Sequence, residues 1–137
     1  LDIRPEDFVE YSTIFLSIDS TDFSGSINAI DLGLNRLGNQ IISLRLAKID
    51  YLMRSNQYEK VLEEYNRLIM ENTRKEFWYF KKAIYLFELD RLPESDIALH
   101  QAKSSIAQLK PKIKNTSAIK DLIQQIDEID KSINHEF

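Results

Sequence analysis

The residues able to do chemistry are few and far apart. His100 and His135 are the only imidazoles, and neither has a second His or any Cys nearby, so zinc-ligand spacing is missing. A lone histidine can act as a general base, but no carboxylate stands at a spacing that would orient either ring. His100 reads as a surface or packing residue on a helix, and His135 as part of a frayed terminus. Carboxylates adjoin at Glu63-Glu64 and at Asp127-Glu128 with Asp130. Adjacent residues on a helix point in different directions, so these read as solvated faces. Gly25, Gly33 and Gly38 lack the spacing of a phosphate loop, and there is no Gly-x-Ser-x-Gly elbow. With no Cys, disulfides and thiol nucleophiles are excluded. The expectation is a protein that is not an enzyme, with no catalytic residue, cofactor or metal site.

The richest constellation is aromatic. Phe77, Trp78, Tyr79 and Phe80 are consecutive, and Tyr85 and Phe87 follow. Aromatic stripes at helical spacing usually belong to a core. Four consecutive rings, however, cover all sides of a helix and cannot share one core. Some of them are expected to line a groove, where an exposed ring would mark a partner site. Phe80, Ile84 and Phe87 fall on one helical face. With Leu46 and Met53 from an earlier helix they would form a shallow apolar groove. Phe77 and Lys81 complete the expected partner-binding set, and Lys81 and Lys82 are available for acidic groups.

These residues need elements to hold them. The 137 residues fit one domain, and 43% apolar residues permit a packed core. With only 3 Gly and 3 Pro among many Leu, Ile, Lys and Glu, the chain should be all-α. A net charge of −4 without a dense basic tract disfavours nucleic acid. No apolar run is long enough for a membrane span. The chain begins at Leu1 without a signal-peptide pattern, which reads as a processed form or an excised piece.

The arrangement follows from a weak repeat. Tyr51-Leu52-Met53 and Tyr85-Leu86-Phe87 stand 34 residues apart, and each block closes one amphipathic helix, turns and opens another. A period of this size signals helical hairpins that bury their apolar faces by stacking. Repeats would start near Phe8, Ile42 and Glu76, with helix junctions near residues 20–24, 38–41, 54–57, 72–75, 89–93 and 110–116. Leu52 and Leu86 would be equivalent buried positions. Pro111 should end or kink the last paired helix. Beyond it, Ile119, Leu122, Ile126, Ile129 and Ile133 form a narrow apolar seam. That seam either caps the third repeat or pairs with a second copy of the chain.

The aligned columns Ile18/Leu52/Leu86, Ser24/Tyr58/Leu92 and Leu34/Leu68/Ala102 resemble the tetratricopeptide repeat family, over residues 8–109. The family favours a small residue in the middle of the first helix. Ala83 fits, whereas Ile49 and Phe15 do not. The resemblance implies a right-handed α-solenoid of about three helix–turn–helix repeats in residues 1–109, with a linker and capping helix in 110–137. It also implies a concave groove lined by the first helices, at Val9, Ser12, Leu16 and Asp19, then Ser43, Leu46, Asp50 and Met53, then Phe77, Phe80, Ile84 and Phe87. The carboxylate clamp used by some members would fall at Ser12, Leu16, Ala47, Phe77 and Lys81, and only Lys81 has the chemistry. The expected function is a noncatalytic protein–protein interaction module that binds a peptide or helical segment. The alternative is a structural domain self-associating through the Ile119–Ile133 seam.

Overall fold

The computed structural model describes residues 2–135, His135 by its backbone alone. They form eight helices: α1 (Pro5–Ile18), α2 (Phe23–Leu37), α3 (Ile42–Arg54), α4 (Tyr58–Glu71), α5 (Glu76–Glu88), α6 (Leu92–Ala107), α7 (Pro111–Lys114) and α8 (Ser117–His135). No strand occurs among the described residues, and the aromatic run lies wholly within α5. The junctions fall where the turn chemistry placed them, with one difference. α6 stops at Ala107, short of Pro111, and Pro111 instead opens the short helix α7. At the first helical position its missing N–H costs nothing.

Local chemistry explains the ends. The Arg4 N–H donates to the Asp7 carboxylate at 2.8 Å, securing the start of α1. The Asp22 carboxylate accepts from the Gly25 N–H at 2.9 Å and caps α2. Gly38, at φ +118°, closes α2 in a backbone region that favours glycine.

Two turns are copies of each other. Gln57 N–H donates to Leu52 O at 2.9 Å, and Arg91 N–H to Leu86 O at 2.9 Å. Asn56 N–H donates to Met53 O and Asp90 N–H to Phe87 O, both at 3.0 Å. Asn56 and Asp90 sit at φ +59° and +60°. Each set is a Schellman closure, and the two sets stand 34 residues apart. The α1–α2 turn has no such closure, and its Asp19 instead accepts from the Thr21 N–H and hydroxyl.

The chain divides into two compact units, with the boundary between Glu64 and Tyr65 inside α4. Unit 1 is built on Phe8, Ile30, Leu34, Leu44 and Tyr51. Its α1 and α2 approach closely because Gly25, Ala29 and Gly33 recur every fourth residue and present no bulk. A Cβ at Gly33 would lie 2.7 Å from the Phe8 ring, and one at Gly25 2.5 Å from the Phe15 ring. The contact is pinned by polar groups. Ser26 Oγ donates to Ser12 O at 2.7 Å. Ser12 Oγ donates to Val9 O at 2.6 Å, so its 2.8 Å partner Tyr51 must be the donor.

Unit 2 packs α5 against α6, with α8 laid on both. Phe80, Ala83, Leu86, Leu99 and Ala102 are buried between them. Ser95 Oγ donates to Ala83 O at 2.7 Å, the counterpart of the serine contact in unit 1. The seam of α8 lies in this packing: Ile119, Leu122, Ile126 and Ile133 are buried and Ile129 half-buried. The seam is thus largely covered within unit 2, by the packing of α8 on α5 and α6. Lys103 on α6 ties Asp130 on α8 at 3.0 Å.

Candidate interaction surfaces

The expected partner-binding residues divide between the units. Leu46 and Met53, on α3, belong to unit 1, where Leu46 is exposed and Met53 half-buried. Phe77, Phe80, Lys81, Ile84 and Phe87, on α5, belong to unit 2. Phe80 is 3% exposed and lies in the core of that unit. It is spent on packing because Ala83, three residues on, lets α6 approach the same side of α5. Ile84 and Phe87 are half-buried.

The outward strip of α5 runs along one helical face by spacing, with Phe77 and Glu88 exposed and Lys81 and Ile84 half-buried between them. Phe77 is 46% exposed. Its ring meets the edge of Trp78 at 5.2 Å between centroids, and the Lys81 ammonium sits 5.2 Å above it. The ring is thus held open to solvent by an aromatic neighbour and a cation, rather than folded inward.

Lys82 has a different environment. It lines a cleft of about 220 Å³ with Leu86, Glu94, Ile97, Ala98 and Gln101. Burial pushes its ammonium below the ordinary lysine range, and the charge of Glu94 partly offsets this. Arg91 holds the Glu94 carboxyl low through hydrogen bonds of 2.8 and 2.6 Å. A second cleft of about 220 Å³ has Ile106, Ala107, Ile123 and Ile126 in its lining, with Lys103, Lys114 and Asp127. Tyr65, the first residue of unit 2, is buried, and its phenol is pushed up to about 12, chiefly by burial and secondarily by Glu88 and Tyr85.

Two sequence expectations in unit 1 need correction. Ser12, expected in a groove, is fully buried and bonded as described above. Glu64, expected on a solvated face, is only 6% exposed. It lies 3.7 Å from Arg45 and 3.5 Å from Lys48, and Lys48 also reaches Asp31 at 2.9 Å. The charges on α3 draw Glu64 inward, an arrangement that ties helices together. Arg54 lies over the Phe23 and Tyr51 rings at 5.5 and 5.6 Å.

His100 is on the surface of α6, its Nδ1 2.8 Å from Asp96 O and 3.5 Å from Asp96 Oδ1, so contrary to expectation a carboxylate does stand one turn away from it. The side chain of His135 lies outside the described residues. Among the described residues, no group of three or more His, Cys, Asp or Glu is placed to hold a metal ion. No described helix is long and apolar enough to cross a membrane. In comparison with known proteins, no family model, no curated protein and no solved structure matches this chain.

Proposed function

We propose that the chain is a noncatalytic protein–protein interaction module of tetratricopeptide-like helical hairpins, and that unit 2 receives a peptide or helical segment along the outward strip of α5. The 34-residue recurrence of two Schellman turns supports the repeat reading, for which stacking as a solenoid is part of the proposal. The observation that carries the function is Phe77. A large ring that is nearly half exposed, flanked by Trp78 and topped by the Lys81 ammonium, is a preformed anchor. It suits a segment bearing an apolar side chain beside an acidic one. Ile84 extends the apolar contact by two turns. Leu46 and Met53 form a separate apolar strip on α3 of unit 1.

Selection from a displayed peptide library tests this. Enriched peptides should combine apolar and acidic residues and perturb the amide resonances of α5. Replacing Phe77 by Ala should weaken them by about tenfold or more, the effect of losing one buried ring. Phe77 is exposed, so the variant should melt like the parent. Peptides that bind the variant equally well, or a library with no enrichment, would reject the assignment.

A further inference from the structure

The apolar strip on α1 is an unclaimed surface with its own charge signature. Tyr11, Ile14 and Ile18 share one face of α1 and are 45%, 50% and 82% exposed. Asp7 continues the same face toward the start of the helix, Glu10 flanks it and Asp19 follows its end; all three are exposed. The setting is lopsided: residues 1–35 carry seven Asp and Glu against Arg4 alone. Unit 1 as a whole has eleven acidic and six basic side chains, whereas unit 2 has eleven and twelve.

We infer that this face of α1 docks a basic amphipathic helical segment from a partner protein. The apolar strip takes the partner's apolar stripe, and the bordering carboxylates meet its Lys and Arg residues. A second copy of the same face would oppose acid to acid, so self-pairing here is disfavoured. Among them, Asp19 is held below the ordinary carboxylate range by hydrogen bonds from the Thr21 backbone and side chain. This surface is independent of the α5 strip and would survive the failure of that assignment.

The test uses the full chain and three synthetic peptides. One carries Leu at helical spacing with Lys elsewhere. The second has the same composition in scrambled order, and the third has Glu in place of Lys. The patterned Lys peptide should perturb α1 resonances, bind more weakly as salt rises, and outcompete the other two. Combined replacement of Ile14 and Ile18 by Ser should weaken it by about tenfold or more, and Glu10→Lys should weaken it further. These side chains are exposed, so unchanged melting checks that the variants fold. Equal binding of the scrambled or Glu peptide, perturbations confined to other helices, or indifference to the substitutions would overturn the inference. So would sedimentation showing a dimer that the Ile14/Ile18 variant abolishes, which would make a second copy the occupant.

Discussion

The α1–α2 hairpin of unit 1 and the α5–α6 hairpin of unit 2 solve one packing problem with different loops. In each, a buried serine on the second helix donates to a carbonyl in the middle of the first, at 2.7 Å in both cases. Around that bond, unit 1 clears space with Gly25, Ala29 and Gly33, and unit 2 with Ala83, Ala98 and Ala102. The turns differ. α5–α6 closes through a Schellman motif, while α1–α2 runs through an Asp-rich turn one residue longer. What recurs is the helix contact, and the loop is free to vary around it.

The largest effect is expected from truncating the leucines whose carbonyls accept in the two copied turns, after α3 and after α5, which tests the 34-residue register behind the α5–α6 hairpin. Leu52 and Leu86 are 2% and 1% exposed. Changing either to Ala should cost about 2–5 kcal/mol, measured by chemical denaturation. Near-neutral results in both would break the register. Next is Gly33→Ala. The new methyl would press on Phe8, including its Cβ at 2.9 Å. Overpacking should outweigh the gain in helix propensity, leaving a net loss of about 1–2 kcal/mol. A stabilised variant would mean that α1 can shift away from α2.

Smaller effects sharpen the comparison. Ser26→Ala and Ser95→Ala should each cost about 0.5–1.5 kcal/mol in thermal or urea unfolding. Similar costs would make the two bonds equivalent in energy as well as in length. The smallest change is expected at the copied turns. Asn56→Gly and Asp90→Gly should relieve the left-handed backbone, raising stability by about 0.5 kcal/mol. Asp22→Gly, at a position with φ −83°, should instead destabilise through loss of the cap, by about 0.5 kcal/mol.

Much of this architecture is legible in the residues. Asp22, Gly38, Ser55-Asn56-Gln57 and Asp90-Arg91 announce their junctions because caps and turns are local chemistry. The seam of α8 is legible because its apolar spacing is narrow and regular. Repeat one was harder. Carrying the period back by 34 residues puts Phe15 where a small residue belongs, but the contact uses Ser12. Ser12 and Ser26 stand 14 residues apart, Ala83 and Ser95 only 12; the first turn is one residue longer, and Ser12 lies one residue farther from the C-terminal end of its helix than Ala83 does. The inward turn of Glu64 was hidden because its partners Arg45 and Lys48 lie on another helix. The burial of Phe80 was hidden similarly: a run of four rings does not say which sides will be covered. Of the expected α5 residues, Phe77 is exposed, Lys81, Ile84 and Phe87 are half-buried, and Phe80 is buried.

Trp78 is the only tryptophan, and it lies half-buried in unit 2 beside Phe77. Its fluorescence therefore watches one half of the chain, while helical ellipticity watches both. If the two signals lose amplitude together on heating, the units melt as one cooperative body. If fluorescence changes at its own temperature, the units are separate thermodynamic systems joined through a shared helix. The placement of a single indole thus gives the molecule a built-in, half-selective thermometer.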